Sequence, residues 1–392
     1  MRTTSVLVIL GGILGVVAAQ ASCASTTCER TETCPSPFSE QVPDTDASDA
    51  QAPTSYMVST LAGNGDAGAD NGVGSAATFS APTGIAVGPD GSLYVADTNN
   101  SKIRKIDVDG TVTTYAGTGT RGSTDGSCTT ATFSSPWYIA VDAVGNIYVT
   151  DRLNNNIRKI SLACQVSTLA GSVVGNSGAS DGTGTMATFK APQGLTLDAS
   201  GNIYVADSAN NKIRKVTPGG KVTTIAGTDV KGNIDGPVSS ATFFFPVGIA
   251  VDAAGTLYVT EIDNNDVRKI TANGQVSTLA GPGTVRAVID GTGANAAFYN
   301  PSGIAVDTRS NLLLVTDAYN HVVRQVTSDG DVTTIAGQRE AYTNKGVPGA
   351  ADGPVNTATF NYPNGVAMDS HGVIYVVDTG NNKIRKFTPV PQ

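Results

Sequence analysis

One short sentence of residues is written six times in this chain, and that repetition limits the fold more than any other feature. Its phenylalanine recurs at Phe79, Phe133, Phe189, Phe243, Phe298 and Phe360. Its arginine recurs at Arg104, Arg158, Arg214, Arg268, Arg324 and Arg385, a period of about 56 residues. Copies at such spacing form one structural unit each and bury their apolar faces against their neighbours.

Within the first copy, four short runs alternate apolar and polar residues as strands do. They are Gly84–Val87 (strand a), Leu93–Ala96 (b), Lys102–Ile106 (c) and Val112–Ala116 (d). Pro89-Asp90-Gly91 and Asp109-Gly110 supply hairpin turns, and Asn99-Asn100 a corner tolerant of left-handed backbone. Four-stranded antiparallel units repeated six times predict an all-β chain, a six-bladed β-propeller with strand a along the axis. The units lie near 79–117, 133–171, 189–227, 243–281, 298–337 and 360–387. The last lacks a strand d, whereas Val58-Ser-Thr-Leu-Ala-Gly63 is a strand d without a unit. The stretch 57–63 is therefore expected to complete the sixth blade, closing the ring and removing its exposed edges.

Outside 56–392 the composition changes. Arg2, the apolar run Val6–Ala19 and Ala19-Gln20-Ala21 read as a signal peptide over 1–21. Residues 22–55 form a Ser/Thr/Pro-rich tether with six acids and one base, expected to be disordered. Cleavage would leave Cys23 near the new N-terminus, a lipidation candidate and the only expected link to a membrane. Cys28 and Cys34 are close enough to pair. Of the formal charge of −8, about −4 falls on the propeller, which argues against a nucleic-acid partner. The chain is expected to be secreted or held in the cell envelope, periplasmic or at the surface.

The Tyr-Val-Ala-Asp…Asn…Ile-Arg-Lys and Pro-x-Gly-Ile-Ala-Val-Asp segments resemble the NHL repeat. That resemblance implies a six-bladed propeller serving mostly as a binding platform, with some enzymes, an amidating lyase and lactonases, among its members and structural relatives.

Each copy carries an acid seven residues before its arginine: Asp97, Asp151, Asp207, Glu261, Asp317 and Asp378. This spacing spans the b–c hairpin and predicts a structural salt bridge in every blade, with an anion- or metal-binding ring as the competing reading. His321 and His371 fall in turns on opposite faces, too far apart to share a metal or a triad. The corner Glu261, Asp263, Asn264, Asn265 and Asp266 is the one candidate for calcium; no other cofactor is indicated. Cys128 and Cys164 are assigned to opposite faces and expected to stay unpaired unless the long connection doubles back.

Positions shared by all copies serve folding, so function is sought where copies differ. Five read Pro-x-Gly before strand a, with Thr83, Gln193, Val247, Ser302 and Asn364 at x; the second reads Pro136-Trp137-Tyr138. These seven residues, Tyr138 included, are expected to ring the channel mouth on the face of the b–c turns and d–a connections and to bind ligand there, although Trp137 and Tyr138 could equally plug the channel. Phe243-Phe244-Phe245 is read as core, and Gln338–Lys345, an insertion of about seven residues, as a candidate lid. The expected function is recognition of an extracellular protein, peptide or glycan; the alternative is a metal-assisted, lactonase-like hydrolase or lyase at the channel mouth.

Overall fold

In a propeller both faces of a blade are covered by neighbouring blades, so its inner strands read as apolar runs. Strand b of the first copy, Leu93–Asp97, is buried at all five residues. The computed structural model describes residues 55–281 and 285–390. The expected leader, nearly all of the tether, Cys23 and the Cys28–Cys34 pair lie outside the described residues.

The described chain forms six antiparallel sheets around an axis. In blade 1 the strands run a (Ile85–Val87), b (Leu93–Asp97), c (Lys102–Ile106) and d (Thr111–Ala116) from the axis outward. Tyr56–Ala62 pairs antiparallel with strand c of blade 6, Lys383–Pro389, with Met57 opposite Thr388. The front of the chain thus supplies the strand d that its end lacks. Core residues gather in six clusters, several of them shared by adjacent blades: Ile103 and Ala116 of blade 1 pack with Phe133 and Ile139 of blade 2.

Each blade has five strands, where the sequence predicts four. The fifth, strand e, is a two-residue outer rung such as Gly72–Val73 or Gly126–Ser127, hydrogen-bonded to strand d. It comes from the connection entering the blade, which therefore runs along the outer edge before returning to the axis. This path overturns the expectation for the cysteines. Ser127 pairs with Gln165 at the start of strand d, so Cys128 arrives beside the c–d turn, and Cys128 and Cys164 form a disulfide with Cα atoms 5.3 Å apart. The connection doubles back and crosses the blade, the one route by which the two cysteines could have met.

Near the axis the blades approach backbone to backbone. A Cβ at Gly194, Gly248, Gly303 or Gly365 would overlap the carbonyl of Val247, Ser302, Asn364 or Thr83 in the next blade. The Gly of Pro-x-Gly is therefore set by close approach.

Candidate functional site

The six acid–arginine pairs all form, with N···O distances of 2.6–3.0 Å and both side chains fully buried. In blade 3, Arg214 Nη1 donates to Asp207 and to the Thr188 carbonyl, and Nη2 to Asp181 and the Ser180 carbonyl. Its guanidinium lies over Phe189, 5.2 Å from the ring centroid. The repeated Phe, the b–c acid and the arginine are thus one buried unit, which the half-exposed acid before strand e caps from the solvent side. Removing one partner of such a pair costs about 3–5 kcal/mol, because the other is left buried and uncompensated. Burial pushes Asp151 and Asp317 up to about 6 against the pull of Arg158 and Arg324, so both remain ionised at neutral pH.

The seven residues at the axis end of strand a gather as the spacing predicts, but largely inward. Thr83, Tyr138, Gln193, Val247 and Ser302 are buried, while Trp137 and Asn364 are half-buried. Thr83 Oγ1 donates to the Trp137 carbonyl, and Ser302 Oγ to Asn364 Oδ1, tying neighbouring blades together. Tyr138 reaches from blade 2 to blade 5, where a Cβ at Gly303 would lie 3.0 Å from its hydroxyl. Its ring crosses the channel. The remaining cavity, about 270 Å³, is lined by strand a residues from Ile85–Val87 round to Val366–Met368, with Tyr138 among them. Trp137 keeps part of its surface and carries the Arg152 guanidinium 4.7 Å from its ring.

The acidic corner of blade 4 splits. Glu261 and Asp266 turn inward and are fully buried, Glu261 on Arg268 and Asp266 on the Asn233 amide at 2.8 Å. Asn264 donates to the Gly232 carbonyl, and Asn265 accepts from the Asn300 N–H. Burial, followed by the neighbouring Glu261 charge, raises the pKa of Asp266 well above the usual carboxylate range.

His321 and His371 lie where expected, in a b–c turn and an a–b turn. His321 replaces the asparagine that joins blades elsewhere. Asn155, Asn211, Asn265 and Asn382 each accept an N–H from the next blade, and His321 Nδ1 accepts that of Tyr362 at 3.1 Å. Phe243 is core, whereas Phe244 and Phe245 are half-buried at the surface. The insertion is a hairpin in which Arg339 bridges Gly346. Its base lies on Val288 and so close to the Asn320 carbonyl that only glycine fits at Gly346. It packs at the corner of blade 5, away from the channel mouth that it was a candidate to cover.

Beside that hairpin lies a cluster that the sequence reading missed. Tyr319 packs between Tyr299 and Tyr362, with centroids 4.9 and 4.5 Å away, and His321 meets Tyr362 at 5.3 Å. The Arg286 guanidinium covers Tyr299 at 5.3 Å. The signal was present: Tyr319 stands where other blades have Asn99, Leu153, Ala209, Asp263 and Gly380.

A closed ring of six antiparallel blades about a central channel is a six-bladed β-propeller. Residues 79–106, 189–216, 298–325 and 360–387 each match the NHL repeat, so four of the six blades of this propeller carry NHL repeats. Human NHL repeat-containing protein 2 is 28% identical over 328 residues, covering 75% of this chain and 44% of that protein. Mouse teneurin-3 is 28% identical over 371 residues, 84% of this chain and 13% of that one. The chain spans less than half the length of these curated relatives. Among solved structures, an auxiliary nutrient binding protein from Bacteroides thetaiotaomicron superposes with a TM-score of 0.65 at 16% identity, covering 85% of this chain and 76% of that one. At that identity the likeness shows the fold alone. No helix among the described residues is long and apolar enough to cross a membrane.

Proposed function

We propose that the chain is an extracytoplasmic binding module that recognises a protein, peptide or glycan through the face of its b–c turns and d–a connections. One observation carries this reading: the departures from the repeat that add aromatic or loop surface lie on that face. Arg152, the Tyr299–Tyr319–Tyr362 cluster and the 338–347 hairpin belong to its turns and connections, and Trp137, under Arg152, to the adjoining end of strand a. The b–c acid and the arginine of every blade are paired inside the fold, and the repeat breaks where surface is offered. The Cys128–Cys164 bridge suits an oxidising compartment outside the cytoplasm, as does the leader-like start of the sequence. The nutrient-binding description of a structural neighbour agrees with a binding role.

Titrating the purified chain with a panel of cell-surface glycans and peptides tests the reading, with calorimetry beside Trp137 emission. At least one saturable ligand is expected. No heat and unchanged emission across the panel would overturn it.

A further inference from the structure

Four of the chain's twelve tyrosines, Tyr299, Tyr319, Tyr342 and Tyr362, belong to one corner of blades 5 and 6 or to the hairpin beside it. Tyr319 is 41% exposed although two rings hold it, and Tyr342 near the hairpin tip is 99% exposed. A large ring held rigid and left open to solvent offers contact area at little entropic cost, the usual character of a binding surface. Burial and the adjoining Tyr319 push Tyr362 up to about 12, so its phenol stays neutral at physiological pH.

The surroundings narrow the ligand. The rings touch at 4.5–4.9 Å, leaving no gap between them for a cation, and Arg286 already occupies the face of Tyr299. Arg286, Arg339 and Lys345 are all exposed and, among the described residues, have no salt-bridge partner. Arg339 sits beside Val288, two residues from Arg286, so three cations against the one carboxylate of Glu340, which accepts from Thr343, make a net basic edge beside the rings in a chain of net charge −8. A ligand suited to this corner has an apolar ring face with a polar rim, to lie on Tyr319, and a negative group for a guanidinium fork.

We propose that this tyrosine corner binds an acidic glycan, a chain of sugar rings bearing carboxylates. The proposal rests on the binding-module reading and gives it a ligand class and a place. Tyr319 supplies the stacking platform, Arg286 pairs with the uronate carboxylate, and the hairpin carries the exposed Tyr342 as a second wall.

The test is calorimetry with oligogalacturonate, with neutral malto-oligosaccharide and oligothymidylate as comparisons, on the wild type and on Tyr319→Ala, Arg286→Gln and His371→Ala. Oligogalacturonate is expected to bind more tightly than either comparison. Tyr319→Ala is expected to weaken binding roughly tenfold or more. Arg286→Gln should weaken it several-fold and flatten its salt dependence, while His371→Ala, in an exposed a–b turn on the opposite face, leaves it unchanged. Hydrogen exchange should show protection at 299–300, 318–321 and 339–346. Several results would overturn the proposal: no uronate binding, equal or tighter binding of the malto-oligosaccharide, tighter binding of the oligonucleotide, or uronate binding indifferent to Tyr319→Ala. In each case the broader reading is judged separately, by whether any panel ligand binds elsewhere on the face.

Discussion

Replacing Asp266 by asparagine should make the protein more stable, and more so as pH rises. Asp266 is fully buried in blade 4 beside the Glu261–Arg268 pair; one carboxylate oxygen accepts from Asn233, and the other has no partner. Burial and the Glu261 charge raise its folded pKa above that of an unfolded aspartate, so the folded state holds this proton more tightly. The stability linked to it is complete below the unfolded pKa of about 4 and is lost as pH rises through the folded value. An asparagine does not titrate and escapes that loss. Blade 2 shows that the amide fits: Asn156 occupies the same position, donates to the Ser172 carbonyl and Ser123, and leaves one neutral oxygen unpartnered. An unsatisfied buried group costs about 1–3 kcal/mol and a charged one more, so Asp266→Asn should gain about 1–3 kcal/mol at pH 8 and little at pH 4. Urea unfolding followed by Trp137 emission at pH 4.5, 6 and 8 measures it. A variant no more stable at pH 8, or a gain independent of pH, would refute the reasoning.

Other expectations follow from the same contacts. Reducing Cys128–Cys164, or replacing both by serine, frees a loop of sequence separation 36 and should cost up to about 4 kcal/mol by the loop-entropy relation; unfolding with and without reductant checks this. Burial lowers the pKa of His321, whose neutral Nδ1 accepts from Tyr362. The linked stability is therefore present above the unfolded pKa of about 6.5 and is lost as pH falls through the folded value. His321→Asn, the residue used in four other joints, should remove that acid sensitivity, worth about 1 kcal/mol, in melting curves between pH 7 and 5. Deleting 57–63 should expose two strand edges in blade 6 and turn a monodisperse protein into an aggregating one on gel filtration.

The blades and their closure were legible because each depends on recurrence within the chain: the orphan Val58–Gly63 had only one place to go. Strand e escaped because two residues show no period, and it decided the route of the connection and with it the disulfide. At the candidate site, the Pro-x-Gly residues gather at the axis end of strand a, but their burial could not be read from the sequence. Packing between blades turned Thr83, Gln193 and Ser302 inward. Tyr299, Tyr319 and Tyr362 look like separate surface changes along the chain. They meet only once the b–c turn of blade 5 lies beside the start of blade 6.

At the centre of this account is a division of labour: positions common to the six copies hold the disc, and positions that break the repeat serve recognition. Urea unfolding of Arg214→Ala beside Tyr319→Ala tests it directly. Arg214→Ala leaves Asp207 buried without its partner and should lose about 3–5 kcal/mol, whereas Tyr319→Ala should stay within about 1 kcal/mol of the wild type. Equal losses, or a larger loss at Tyr319, would contradict it.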